Sequence, residues 1–488
     1  MNKVDLLLVN PGRGKLYQEL GSISALEPPF WAGLIASFIR RHGHEVAILD
    51  ADAENLSPEE AAERAAQCEP LLTAVIVQGV NPSASSTPKM ADAGEFLRAL
   101  KDRDPARTTI MGGIHPSALP ERTLREEAVD LVCQGEGFYT ILRILDTFKS
   151  DETVMPDVVG LWERNQLGAT PRAQLLPADE LPPVAWDLLP MDRYRAHNWH
   201  CLGNLEDRQS YATIYTSLGC TYHCRFCNIH AMYLGTKPSI RFRRPEDVIG
   251  EIYLLVKTYG VRNIKIMDEL FTLNRSHVSR ICDLIIERGY DLNMWAYGRV
   301  DLVDGELLKK MKRAGINWIG YGFESANEVV RRGVAKNFGQ NKMYKAIWMA
   351  KEAGIHVQAN FIFGLPDDNL GTMQNTLGTA EANNFEWVNF YCCTAYPGSR
   401  LYEVAIQKGF KLPETWADYG QYSEGFLPLP TKYLSGEEVL RFRDNAFEEY
   451  FTRPRYLEMI GQKFGEAAVT DIREMLKCEI KRRGNGRA

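Results

Sequence analysis

Cys220, Cys224 and Cys227 lie within one short stretch, spaced C-x₃-C-x₂-C. Clustered thiolates are soft ligands that hold zinc or iron–sulfur centres. Three is the informative number. A structural zinc site closes with four ligands. Here His223 or His230 could supply the fourth. A cubane cluster held by three cysteines instead leaves one iron open to another molecule. The preceding Tyr211-Ala212-Thr213-Ile214-Tyr215-Thr216 is rich in β-branched and aromatic residues and reads as a strand. The thiols therefore sit in a loop at a strand's carboxyl end, where α/β barrels place their chemistry.

The elements that would position this loop follow in order. Pro245, Glu246 and Asp247 open a helix with Val248, Ile249, Ile252 and Val256 on one face, stopped by Gly260. A strand at Asn263–Glu269 ends in the carboxylates Asp268 and Glu269. The strand from Leu292 ends in Arg299, a candidate carboxylate binder. Asp304 caps the next helix, and the strand from Asn317 ends in Glu324-Ser325. Val357–Pro366 and Trp387–Cys392 are the fifth and sixth strands. Six strand–helix units over residues 211–405 predict a partial (β/α)₆ barrel, open on one side.

Residues 1–150 show another alternation. Apolar runs at Val4–Val9, Val46–Leu49, Ala74–Val77, Thr108–Met111 and Asp130–Cys133 alternate with helical patterns such as Phe30–Arg41 and the Ser57-x-x-Glu60 start. This predicts a Rossmann-like, doubly wound parallel sheet that binds ligands beyond its strands' carboxyl ends. No G-x-G-x-x-G follows the first strand, which argues against NAD. Residues 151–210 read as a linker, with a hairpin of Val158–Trp162 and Ala173–Leu176 around Asn165–Gly168. Residues 406–488 read as an aromatic loop and then a helical cap over the barrel mouth, begun by the Ser435-x-x-Glu438 box. The tail Lys481-Arg482-Arg483 reads as solvated.

Composition removes some classes. Fifty-seven basic against 63 acidic residues give a net charge of −6, no footprint for nucleic acid or an anionic membrane. The start lacks a signal-peptide layout and no long apolar run occurs, so a cytoplasmic protein is expected. The other seven of the 10 cysteines are scattered and read as buried thiols rather than disulfides.

The cysteine triad with aromatic Phe226 before its last member resembles the radical S-adenosylmethionine (SAM) superfamily. The resemblance implies a [4Fe–4S] cluster on Cys220, Cys224 and Cys227, with SAM on its open iron. It implies SAM contacts from Phe226, Asp268, Glu269, Arg299, Glu324, Ser325, Phe363 and Gly364. The first 150 residues look like the cobalamin-binding domain fused to one class of these enzymes. The likeness rests on Glu27-Pro28-Pro29, on the Gly-Gly-x-His-Pro stretch from Gly112 to Pro116, and on Gln134-Gly135-Glu136-Gly137. The implied cobalamin contacts are Glu27, Asp50, Asn81, Ser83, Gly112, Gly113, His115, Gly135, Glu136 and Gly137. The D-x-H-x-x-G string of histidine-on-cobalt domains is absent, so His115 is expected beside the cofactor rather than on the metal.

The expected activity is C-methylation of an unactivated carbon in a small molecule, using a 5′-deoxyadenosyl radical and methylcobalamin. An external flavodoxin- or ferredoxin-type donor would supply electrons, and Tyr391, Tyr396 and Trp416 would border the substrate. A cyclase like the anaerobic porphyrin ester cyclases is the enzymatic alternative, and a non-catalytic cobalamin sensor the alternative of another class. A methylthiotransferase is disfavoured, since the first domain holds only Cys68 and Cys133.

Overall fold

The structure is a computed structural model that describes residues 4–14, 17–79, 81–150, 158–164, 171–233 and 240–483. Its first sheet contains β1 (Leu6–Asn10), β2 (Val46–Asp50), β3 (Leu72–Val77), β4 (Thr109–Gly113), β5 (Leu131–Cys133) and β6 (Leu161–Glu163). Their order is β2-β1-β3-β4-β5-β6; the first five strands are parallel and β6 is antiparallel. Every residue of β1 and β3 is buried, as expected for strands covered on both faces. The order reverses between β1 and β3, and that switch point is where such sheets take ligands.

The expected hairpin did not form as read. Leu161–Glu163 instead pairs with Leu131–Cys133 at the sheet edge, and Ala173–Leu176 is not a strand. The turn at 165–168 lies outside the described residues.

The second sheet holds β7 (Tyr211–Ile214), β10 (Asn263–Ile266), β11 (Asn293–Gly298), β12 (Ile316–Glu324), β13 (His356–Phe363) and β14 (Trp387–Cys392). All are parallel, in the sequential order β7-β10-β11-β12-β13-β14. β7 and β14 are not paired with each other, so the barrel is open between them. A small antiparallel pair, β8 (Ser217–Gly219) and β9 (Ile240–Phe242), brackets the cysteine loop.

The connector does more than span the domains. Its 3₁₀ turn Asn198–Cys201 sets Trp199 into the barrel floor, with ring centroids 5.2 Å from Trp295, 5.2 Å from Trp318 and 6.3 Å from Trp387. Near its end, Arg208 donates to the carbonyls of Ile23 and Ser24 in the first domain.

Helix Gly436–Thr452 begins with the predicted capping box. It covers the flank beside β14 rather than the mouth: Phe451 packs on Trp387, and the Tyr450 hydroxyl donates to the Phe385 carbonyl at 2.8 Å. The loop before it reaches the mouth through Gln421. In the basic tail Lys481 and Arg483 are exposed as read, but Arg482 is not. Arg482, with 4% of its side chain exposed, donates to the carbonyls of Ser423 at 2.9 Å and Gln421 at 3.1 Å. Gln18, near the other end of the chain, bonds Lys481 through N–H to Oε1 at 3.1 Å, and its amide also donates to the Tyr422 carbonyl.

Candidate active site

The root of the cysteine loop is held rigidly. Asp268 accepts from Thr216 N, Thr216 Oγ1 and Ser217 Oγ, each at 2.6 Å. Arg243 donates to the Tyr215 carbonyl at 2.9 Å and pairs with Glu251 at 2.6 Å. Farther along, Arg225 N donates to Val334 O, and the Asn228 amide donates to Pro397 O, both at 3.0 Å. These bonds join the loop to segments that follow β12 and β14.

Cys220, Cys224 and Cys227 all line one cavity of about 270 Å³ at the carboxyl ends of the barrel strands. Among the described residues no three His, Cys, Asp or Glu converge on a single ion. The His223 and His230 rings lie 4.4 Å apart, tilted by 32°, and His230 Nε2 is bonded to the Tyr222 carbonyl at 2.7 Å. The thiols are thus arrayed around a space, which suits a cluster better than a zinc knuckle. Burial pushes the Cys220 thiol up to about 12 and raises Cys224 as well. Iron would displace those protons, since a coordinated thiol is deprotonated.

Of the residues expected around SAM, Phe226, Glu269, Arg299 and Glu324 line this cavity. Glu269 accepts from Gly219 N at 3.0 Å and Tyr233 OH at 3.3 Å. Burial holds its carboxyl up at about 8. Arg299 is fixed by Asp301 at 2.7 Å and by the Asn337 carbonyl at 2.8 Å, and its guanidinium lies 4.0 Å from the Tyr222 ring centroid. Glu324 sits at φ +63°, where a non-glycine residue stores strain, beside a register shift in the β12–β13 ladder. Lys336 Nζ meets it at 2.9 Å. Burial would lower the Lys336 ammonium, but Glu324 and Cys224 outweigh it and the pKa is raised. A Cβ on Gly322 would lie 2.5 Å from Glu324 Oε1, so only glycine leaves room for this pair.

Four of those expectations are corrected. Asp268 is fully buried and spent on the loop root. Ser325 Oγ accepts from Asn327 N at 3.1 Å and contacts Thr376, away from the cavity. Phe363 is sandwiched by Phe390 at 5.1 Å and Phe442 at 5.0 Å. A Cβ on Gly364 would strike Val439 at 2.5 Å, so its bareness serves helix packing. Tyr391 and Tyr396 do line the cavity, whereas Trp416 packs on His115 at 4.4 Å and under Arg122 at 4.2 Å. Sequence reading missed Lys336, Tyr297, Asn360 and Gln421, which also line it.

In the first domain, Gly112, Gly113, Gly135 and Gly137 line a cleft beside Trp31 and Ile76. A second slot, at the β1/β3 switch point, is lined by Asn10, Gln78, Pro28 and Pro29 and shares Trp31 and Ile76. Its far wall is Tyr215 and Met267 of the barrel. Gly113 has φ +117°, and a Cβ there would meet Val77 O at 2.2 Å. Among the described residues, Gln78 Oε1 is buried without a partner in this seam. Bare backbone and an orphaned acceptor fit a cofactor laid along these strand ends.

The polar calls made for this domain divide differently. Glu27 pairs with Lys265 of β10 at 3.2 Å and accepts from Tyr211 OH at 2.8 Å. Glu136 pairs with Arg241 of β9. Asp50 accepts from the Asn10 amide and Tyr194 OH, both at 2.7 Å. These three carboxylates lock the chain to itself. His115 is 1% exposed, bonded to Thr87 Oγ1 at 3.2 Å, and burial drives it down to about 3. Asn81 lines the cluster cavity from the first domain, while the Ser83 side chain lies outside what is described.

Comparison with known proteins bears on both halves. The model of the radical SAM superfamily matches residues 214–380, and that of the B12 binding domain residues 20–145. An uncharacterised methyltransferase of Pyrococcus horikoshii is 27% identical over 93% of this chain and 93% of its own length. Cytidylyl-2-hydroxyethylphosphonate methyltransferase of Streptomyces wedmorensis is 26% identical over 89% and 87%. Anaerobic magnesium-protoporphyrin IX monomethyl ester cyclase of Rubrivivax gelatinosus is 24% identical over 77% and 66%. The solved radical SAM methyltransferase TsrM of Kitasatospora setae superposes with a TM-score of 0.69 at 16% identity, covering 97% of this chain and 99% of its own. That likeness is one of fold. With a B12-binding domain set against a triad-bearing barrel, the chain belongs to the cobalamin-binding-domain group of the radical SAM superfamily.

Proposed function

We propose that this chain is a cobalamin-dependent radical SAM methyltransferase that methylates an unactivated carbon of a small molecule. One observation carries the reading: three thiols, Glu269, Arg299, Glu324 and Asn81 of the first domain line a single cavity. The groups bound around it, a [4Fe–4S] cluster with SAM and a cobalamin, supply a 5′-deoxyadenosyl radical and a methyl group.

The chain's own residues bind, orient and shield. Glu269 faces the cavity as a mostly neutral acid near pH 7, and a cationic amino group arriving beside it gives the carboxylate its partner. Arg299, already held by Asp301, presents a rigid guanidinium to a carboxylate. Lys336 and Glu324 neutralise each other at the wall, so neither has to be desolvated alone. Tyr297, Leu270 and Tyr391 exclude water from the space where a radical would otherwise be quenched. For cobalamin we assign the Gly112–Gly113 and Gly135–Gly137 cleft with the Asn10–Gln78 slot, with no protein ligand from His115. Residues 1–164 would then be the cobalamin half and 211–405 the SAM half, joined by the connector. Reduction of the cluster needs an outside electron donor of the flavodoxin or ferredoxin type. Among the described residues no helix is long and apolar enough to cross a membrane.

The test uses the reconstituted full chain, methyl-deuterated SAM and a small-molecule cell extract. A methyltransferase forms S-adenosylhomocysteine and 5′-deoxyadenosine in comparable amounts and places the label in a product. 5′-Deoxyadenosine without matching S-adenosylhomocysteine or label would replace this reading with a cyclase. Neither product would leave a cobalamin-binding sensor.

A further inference from the structure

A second chamber, of about 140 Å³, opens off the cluster cavity into the barrel's open flank. Asn81, Ala84, Tyr297, Tyr391 and Gln421 belong to the walls of both. Its lining includes Trp199, Trp295 and Trp387 of the barrel floor. Two charged side chains reach it, Glu27 and Lys265, and they are spent on each other at 3.2 Å. His197, also on the wall, is held neutral by burial, with its pKa down at about 3. A charged ligand would therefore lose water without gaining an opposite charge.

Several polar side chains on the wall are already bonded. The Asn389 amide donates to Asn360 and accepts from the Trp387 indole. Gln421 is bonded to Cys392 through both N and O. Among the described residues, two fully buried atoms of the wall lack partners: His197 Nδ1 and Gln358 Oε1. Gln358 is 4% exposed. Its Oε1 would lie 2.7 Å from a Cβ on Gly320, and Gly320 lines the cluster cavity. The orphaned acceptor thus sits where the two spaces meet.

We propose that this chamber is the substrate subsite, and that it takes an uncharged, flat aromatic portion of the substrate that donates an N–H or O–H to Gln358 Oε1. The assignment of the substrate rests on the methyltransferase reading above. Aromatic walls favour a planar ring by stacking and by area. An unpaired buried acceptor selects for a donor, because a ligand without one leaves that acceptor dry. A ring bonded at Gln358 would lie at the junction with the cluster cavity, where a radical could reach it.

The experiment compares indole with benzofuran, its near-isostere lacking the N–H, and with indole-5-carboxylate. Binding to the reconstituted full chain is read by ligand-observed NMR. Indole is expected to bind at least about tenfold more tightly than either analogue. Gln358→Leu and Gln358→Met should each erase the preference for indole over benzofuran. No binding of indole at millimolar concentration, equal binding of benzofuran to the wild type, or a preference that survives both substitutions would overturn the proposal. Formation of 5′-deoxyadenosine from SAM by the same wild-type sample is measured alongside. Its absence with the indole preference intact rejects the radical reading and leaves the chamber's chemistry standing.

Discussion

The Glu27–Lys265 pair joins the two halves of the molecule at a buried point, and replacing Lys265 tests how much the seam depends on it. Glu27 precedes the first-domain helix Phe30–Arg41, and Lys265 lies on β10, just before Asp268 and Glu269. Their side chains are 2% and 4% exposed. Desolvation lowers the Lys265 ammonium, opposed by Glu27. Lys265→Met keeps the stem volume and removes the charge, leaving a buried carboxylate that still accepts from the Tyr211 hydroxyl but has lost its cation. Removing one partner of such a pair costs about 3–5 kcal/mol. Adding Glu27→Gln removes the stranded charge, so the double variant is expected to recover most of that loss, to within about 1 kcal/mol of wild type. Urea unfolding of the wild type, Lys265→Met, Glu27→Gln and the double variant, followed by far-ultraviolet circular dichroism, measures both steps. A single variant that loses less than about 1 kcal/mol, or a double variant as unstable as the sum of its singles, would refute the reasoning.

Two further outcomes are expected. In the cluster-free chain, the Glu269 pKa of about 8 lies above its ordinary 4.5, so the folded state keeps a proton that the unfolded state has lost. Stability should therefore fall as pH rises from about 4.5 to about 8, and Glu269→Gln should flatten that slope in urea midpoints; an unchanged slope would place the titration elsewhere. With Co(II)-cobalamin bound, the electron paramagnetic resonance spectrum should lack nitrogen splitting and be unchanged by His115→Ala, because Trp416 and Thr87 already enclose the imidazole; a triplet that disappears in the variant would make His115 the ligand.

Strand positions were legible because parallel strands buried on both faces are continuous apolar runs, as in Leu6–Val9 and Ala74–Val77. The capping boxes at Ser57 and Ser435 were legible because their partner spacing is local. What pointed where was not. Asp268 and Glu269 are adjacent, and beyond the strand end one turns to the loop root and the other to the cavity; composition gives both the same weight. Phe363 and Gly364 share that ambiguity at the end of β13. Lys336 escaped notice because it follows the short helix Glu328–Gly333, outside any strand register. Trp416 and Arg482 find their partners far away in sequence, and no periodicity encodes such contacts. Likewise, the carboxylates of Glu27 and Glu136 look like ligand groups in the sequence until their cationic partners on β10 and β9 come into view.

The clasp between Gln18 and the segment around Lys481 turns a linear chain into a closed loop. Arg482, next to the clasp, holds the carbonyl of Gln421, and Gln421 belongs to the wall shared by both chambers. Tension applied between residues 18 and 481 would meet this clasp first, before β2 or any strand after it bears load. Under force, then, the reaction chamber should unlatch as a small early extension while both sheets stay folded. Closure of this kind makes Gln18 and the segment around Lys481, both remote in sequence from Cys220, Cys224 and Cys227, the mechanical gatekeepers of the radical site.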